Sequence, residues 1–302
     1  MVYVEKIKVQ GKTYYKLVHA LRRQNKITHK SRYLGKTLPP RKKLAQLQKG
    51  FLAEIASSRY QYLSPGEIEQ IEQKKTAYQR EWSNLTTLEK GKRLTEFVIR
   101  FTYDSSKLAG VPVTLRQTSL ILKEGIIPKE IRSLATVKKL ENHQKGVIAI
   151  TQYRGPLTLR FIKKLHTILL AGVDDTIAGK TRDELQRNVK LAGTVYVPAP
   201  WNQVAKELRN FFSWYKAENR RLHPLELAAL LHLQLITLQP FVDGNSRLSR
   251  LLMNWILWKK GYPPVNIPIE DLENYYGALD KYQIEKNERP FIEYIKQRYS
   301  QD

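Results

Sequence analysis

Apolar residues recur along this chain with two different periods. From Tyr3 to Gly35, β-branched and aromatic residues alternate with lysine and arginine, as in Val4, Lys6, Ile7, Lys8, Val9 and again in Tyr14, Tyr15, Lys16, Leu17, Val18. Period-two alternation predicts strands, and Gln10-Gly11 and Gln24-Asn25 supply turns between them, so the segment reads as a three-stranded antiparallel meander. After Pro39-Pro40 the apolar spacing becomes that of amphipathic helices. Ser64-Pro65-Gly66-Glu67 sets a capping serine before a first-turn proline, with a glutamate three residues on, which marks a helix start. Helices are predicted at 41–57, 65–83, 86–103, 114–124, 129–152, 157–171, 201–219, 224–238, 246–260, 270–285 and 289–299. The body is therefore all-α. Ala171 to Pro200 breaks the pattern: it is rich in Gly, Asp and Thr and holds a β-like run, Thr194-Val195-Tyr196-Val197. A long irregular stretch inside a helical domain usually performs a function.

Composition narrows the classes. A chain of 302 residues, 42% hydrophobic, can bury a sizeable core. The absence of cysteine excludes a disulfide scaffold, a thiol nucleophile and Cys-ligated metal sites. The longest apolar run, Leu225 to Leu238, is interrupted by His232 and Gln234 and is too short to cross a bilayer, and no leader follows Met1. The expectation is a soluble, cytoplasmic protein with no membrane partner. His19, His29, His143 and His166 lack paired ligand spacing, so no zinc site is expected.

Charge adds a second question. Lys and Arg number 52 against 28 Asp and Glu, a net +24, and residues 1–50 alone hold 14 basic residues against the single acid Glu5. Such a block is either a solvated basic face or a surface that attracts phosphate polymers, so nucleic acid is a candidate partner of residues 1–50.

The chemistry concentrates in Gln239-Pro240-Phe241-Val242-Asp243-Gly244-Asn245-Ser246-Arg247-Leu248-Ser249-Arg250. One apolar helix stops at Gln239-Pro240 and another starts after Gly244-Asn245. The loop thus delivers a helix N-terminus, whose unpaired amides and dipole attract an anion. Arg247 and Arg250 lie three apart, on one helical face, where they could clamp phosphate oxygens. Asp243 at the mouth could share Mg2+ with a phosphate. The plain structural alternative is a capping Asp and surface Arg ion pairs.

The segment resembles the signature of the Fic/Doc (Fido) family, His-Pro-Phe-x-Asp/Glu-Gly-Asn-Gly-Arg-x-x-Arg, at the same spacing. Flanking residues agree: His223-Pro224-Leu225-Glu226-Leu227-Ala228-Ala229 with His232 before it, Leu251-Leu252-Met253-Asn254 and Gly261-Tyr262-Pro263-Pro264 after it. The likeness runs from about Leu94 to Tyr294. It implies a Fic-fold helical bundle with a β-hairpin flap, here preceded by the small β-meander, and a division into a basic β-rich segment 1–37, a helical extension 38–93 and a Fic-like domain 94–302. It also implies transfer of AMP from ATP, with Mg2+, to a hydroxyl of a protein target. By position, Asp243 resembles the metal ligand, Gly244, Asn245 and Ser246 the anion hole, and Arg247 and Arg250 the phosphate clamp, with Phe241 as the anchor beneath the loop. Tyr196 and Val197 resemble the flap that aligns a target segment, and Tyr275 and Tyr276 the base pocket.

The motif departs from the family where chemistry is most exacting. Gln239 stands in place of the catalytic His, and an amide is too weak a base to take a proton near neutral pH, a loss worth about 10²–10⁴ in rate. Ser246 replaces a glycine, so a Cβ could crowd the phosphate or resist a positive φ. Ser105-Ser106-Lys107-Leu108-Ala109-Gly110 resembles the family's inhibitory helix with Ala109 in place of its Glu, which would leave Arg250 free for an anion. Gln283 stands near an Asn often found by the nucleobase. His232 lies about 10 Å from Gln239 along the helix and reads as a core histidine rather than a substitute base. The leading expectation is a degenerate family member that retains nucleotide binding with impaired catalysis. The alternatives are an active nucleotidyl or phosphate-group transferase with a substitute or target-supplied base, and a basic nucleic-acid-binding module on a Fic scaffold.

Overall fold

A computed structural model describes residues 2–9, 11–23, 26–57 and 62–301. The chain divides into two compact units, residues 1–70 and 71–302. In the first, β1 (Val2–Val9), β2 (Lys12–Arg23) and β3 (Lys26–Gly35) form an antiparallel sheet in the order β1-β2-β3. Val4 faces Leu17 across one ladder, and Leu17 faces Arg32 across the other. Side chains alternate, so Val2, Val4 and Leu17 share a face. Leu17 and Phe51 of α1 (Arg41–Ser57) are buried there among Val2, Val4, Leu34, Leu44 and Leu47. Burying such a side chain is worth about 1.5–3 kcal/mol, and an isolated small sheet needs that support. The predicted meander is found; Gly11 turns with φ 77°, while Gln10, Gln24 and Asn25 lie outside the described residues.

The second unit is helical. It comprises α2 (Pro65–Asn84) from Ile71 onward, α3 (Thr87–Lys107), α4 (Leu115–Ser119), α5 (Leu134–Gln152), α6 (Leu159–Leu170), α7 (Arg182–Leu185), α8 (Trp201–Glu218), α9 (Pro224–Leu238), α10 (Asn245–Lys259), α11 (Leu272–Glu285) and α12 (Arg289–Gln301). Every residue from Leu225 to Leu233 is buried, so α9 is the central helix, as its all-round apolar sequence requires. Helices α8, α10, α11 and α12 pack against it, and α10 reaches α5 and α6 on its other side. Helix α9 starts at His223, which closes a capping box with Glu226 around Pro224, and α3 starts from the Thr86–Glu89 box. Among the described residues no helix is long and apolar enough to cross a membrane.

The elements differ from the sequence expectation at several places: α3 runs on to Lys107 instead of ending at 103, and the short helix α7 was not expected. The helix predicted from 129 starts only at 134, because the chain turns at Lys129 and Glu130, with Ser133 at the N-cap position but without a side-chain cap bond. The 114–124 helix ends in a π turn, Leu120–Glu124, closed by Gly125 at φ 67°. A 3-10 turn, Ile269–Asp271, precedes α11. The β-like run 194–197 forms no strand: Gly193 turns at φ 77°, and the Tyr196 amide donates to Thr194 Oγ1 (3.2 Å) instead of to a neighbouring strand.

Candidate functional site

The loop between α9 and α10 is built by four local constraints. Gln239 ends α9 in the left-handed region (φ 49°), its amide N–H donating to Leu235 O (3.1 Å) and its side-chain Nε2 to Ile236 O (2.7 Å). Pro240 cannot continue the helix. Asn245 staples the turn, its Oδ1 accepting from Phe241 N (3.0 Å) and its Nδ2 donating to Phe241 O (2.8 Å). Gly244 sits at φ 79°, where a Cβ would lie 3.0 Å from Leu170 Cδ2 and 3.3 Å from the His166 ring. The turn therefore needs glycine on grounds of both conformation and space.

Helix α10 then begins at Asn245 with no side-chain cap, so its first amides, those of Asn245, Ser246 and Arg247, have no acceptor within the helix. Ser246 adopts an ordinary helical φ; the left-handed backbone expected of it falls on Gly244 alone. Asp243 Oδ1 accepts from Gly244 N (2.6 Å) and Oδ2 lies 3.3 Å from Arg247 Nη2, yet its side chain stays 58% exposed. Arg247 is buried, and its Nε and Nη1 have no partner among the described residues. Desolvation pulls its pKa down and Asp243 pulls it up, leaving a buried cation with two donors to spare.

Arg250 corrects an expectation. Although Ala109 is exposed and offers no carboxylate, the guanidinium is fully buried and engaged. Nε donates to Ser105 Oγ (2.8 Å), Nη2 to Ser105 O (2.7 Å) and Nη1 to Tyr275 OH (3.3 Å). The end of α3 thus replaces the missing acid with a hydroxyl and a carbonyl. Tyr275 is likewise core rather than pocket wall: it is fully buried, bonded also to His232 Nε2 (3.0 Å), and burial pushes its hydroxyl up to about 12. His232 stacks on Phe291 (5.0 Å, 3°), and burial holds it neutral with a pKa of about 3, so it is the hydrogen-bonded core histidine expected from sequence.

A recess of about 350 Å3 opens in front of the α10 N-terminus. Gln239, Asp243, Gly244, Asn245 and Ser246 line one side, Lys190, Gly193 and Thr194 a second, and Tyr276, Asp280 and Gln283 of α11 a third. Neither Arg247 nor Arg250 reaches its lining. Tyr276 is anchored by its hydroxyl to Leu108 O (2.9 Å). Tyr196 lies half-buried with its hydroxyl on Thr237 O (3.0 Å), whereas Val195 and Val197 on either side of it are exposed. The two valines thus flank an inward Tyr196 in a bent segment that, among the described residues, belongs to no sheet.

Two residues of the site escaped the sequence reading. Arg182, fully buried in α7, donates from Nε to Gln239 O (2.6 Å), from Nη2 to Leu238 O (3.2 Å) and from Nη1 to Ala199 O (2.9 Å), while its amide donates to Pro240 O (2.8 Å). It joins the motif loop to the segment after Val197. Burial lowers its pKa, and three carbonyls compensate the cation. His166 stacks on Phe241 (3.8 Å, 9°), accepts from Gly179 N at Nδ1 (2.9 Å) and so donates from Nε2 to Asp243 O (2.9 Å). Burial brings it down to about 4, which keeps that tautomer neutral. Its only sequence signal is a histidine on the buried stripe of α6 beside Ile162, Leu165 and Leu169.

Residues 156–257 match the family model described as Fic/DOC family. The protein adenylyltransferase Fic of Drosophila melanogaster is 32% identical over 238 residues, 78% of this chain and 47% of that protein; its Drosophila virilis counterpart is 35% identical over 196 residues, 64% and 39%. The chain thus spans about half the length of the curated relatives it matches. Among solved structures, a Fic domain containing signaling protein from Bacteroides thetaiotaomicron superposes with a TM-score of 0.67 at 29% identity, covering 77% of this chain and 93% of that one. Fic-1 from C. elegans superposes with a TM-score of 0.64 at 21% identity, covering 87% and 76%, a likeness of fold.

Proposed function

Because the chain carries a domain of the Fic/DOC family, we propose that the recess at the start of α10 binds the polyphosphate of a nucleotide, ATP being the first candidate, and that Gln239 leaves little capacity to transfer AMP to a protein hydroxyl. The observation that carries the reading is the capless N-terminus of α10, whose first amides open on the recess beside the exposed Asp243 carboxylate, with the buried Arg247 guanidinium behind them. Asp243 compensates that buried cation in part, and its remaining charge adds positive potential behind the amides. The exposed Asp243 carboxylate, with phosphate oxygens, suits Mg2+, which favours one or two carboxylates plus phosphate ligands. When bound, the metal would neutralise phosphate charge.

Gln239 has its side-chain amide donated to Ile236 O and no basic nitrogen to offer an incoming hydroxyl. The amides of residues 245–247 and the dipole of α10 would still stabilise phosphate charge. A protein target would dock along the segment Val195–Val197, whose exposed side chains flank the inward Tyr196.

Isothermal titration of the full chain with Mg-ATP tests this reading. Saturable binding is expected, weakened at least tenfold in Arg247→Ala, with GTP and UTP titrated in parallel to rank the nucleotide. A folded wild-type chain that takes up no nucleotide contradicts the reading.

A further inference from the structure

Helix α10 opens with the amides of Asn245, Ser246 and Arg247, and its first internal bond runs from Leu248 N to Gly244 O (3.0 Å). The Cα–Cβ bond of a helical residue tilts toward the helix N-terminus. The side chain of Ser246, second residue of α10, is therefore carried toward the recess that this half-buried residue lines. A serine within a helix commonly turns its hydroxyl back to a carbonyl of the preceding turn, as Ser249 does to Ser246 O (2.9 Å). Ser246 does not: the carbonyl three residues before it, Asp243 O, accepts from His166 Nε2 (2.9 Å), and among the described residues its hydroxyl has no hydrogen-bond partner.

The other side-chain donors near the amides are spent. Gln239 Nε2 donates to Ile236 O (2.7 Å), Asn245 Nδ2 to Phe241 O (2.8 Å), Thr194 Oγ1 to Asp280 Oδ1 (3.1 Å) and the Tyr276 hydroxyl to Leu108 O (2.9 Å). Lys190 is exposed, and Gln283 lies across the recess on α11. An anion on the first turn of α10 thus meets one uncommitted side-chain donor in that turn. We infer that Ser246 is a binding residue of the recess, its hydroxyl donating to the phosphate oxygens that the amides of residues 245–247 hold. Its Cβ was expected to crowd the phosphate or resist a positive φ; with an ordinary helical φ there is no such strain, and the hydroxyl adds a contact in place of the crowding. The inference rests on the reading of the recess as a phosphate site.

Isothermal titration of the full chain with Mg-ATP tests it on Ser246→Ala, Ser246→Gly and Ser246→Thr beside the wild type. Ser246→Ala and Ser246→Gly are both expected to bind roughly tenfold more weakly, the worth of one hydrogen bond to an ionised acceptor. Ser246→Thr keeps the hydroxyl and should bind more tightly than either. The urea midpoint of Ser246→Ala should match that of the wild type, which separates the lost contact from a lost fold. With Mg-ATP bound by the wild type, the inference alone is overturned if Ser246→Ala binds as tightly, if Ser246→Thr is as weak as Ser246→Ala, or if Ser246→Gly binds more tightly than wild type, the mark of crowding. A folded wild type that takes up no Mg-ATP overturns the phosphate site and this inference together.

Discussion

Gly244 is the residue on which the geometry of the loop turns. Gly244→Ala should strain a left-handed backbone by about 1–2 kcal/mol and push its methyl against Leu170 and His166. Urea unfolding should show a loss of about 2 kcal/mol, with reduced Mg-ATP affinity beyond that loss because Asp243 O is held by the same His166. Asn245→Ala removes both bonds to Phe241 and should cost about 1–3 kcal/mol in the same assay. The turn between α9 and α10 at Gly244 and Asn245 was legible in sequence because it follows from neighbours within a few positions, whereas the anion-hole and clamp roles of Gly244, Asn245 and Arg247 came from the resemblance and stand as proposals. The setting of Arg250 was not legible, since its partners Ser105 and Tyr275 are brought by other helices and no spacing along the chain records them.

At the scale of elements, the short helix α7 matters beyond its length. Arg182 satisfies carbonyls of Leu238, Gln239 and Ala199, so the end of α9 and the extended flap segment are tied to one cation. Arg182→Ala leaves these acceptors short of a donor and should destabilise the second unit by about 3 kcal/mol, with limited proteolysis appearing first around residues 186–198. A thermal melt with unchanged midpoint and no new cleavage would contradict this role. The long helices were readable from the 3.6 period and their caps, as α3 and α9 show. The 171–200 stretch was read as functional but not as built around Arg182, because its order comes from side-chain-to-backbone bonds that leave no periodic trace. For the same reason the hairpin expected at 194–197 is a bent segment held by Thr194 and Tyr196.

The whole molecule should carry the signature of its buried neutral histidines. Burial holds His166 near 4 and His232 near 3, against an ordinary value of 6.5. Between pH 6.5 and 4 the unfolded chain binds protons that the folded chain refuses, so stability must fall as pH drops through that window, by about 1.4 kcal/mol per pH unit for each such proton. Urea midpoints at pH 7, 5.5 and 4.5 should decline in that order, and a flat profile would deny the neutral ring that His166 presents to Asp243. A phosphate site that survives while its base is missing should regain transfer when the base is restored. Full-length wild type and Gln239→His are incubated with α-labelled ATP, Mg2+ and cell lysate, and label on protein is read after electrophoresis. The account predicts label with Gln239→His at least a hundredfold above wild type, lost again when Asp243→Ala is added. Equal labelling by wild type and Gln239→His, or none by either when both bind Mg-ATP, would contradict it.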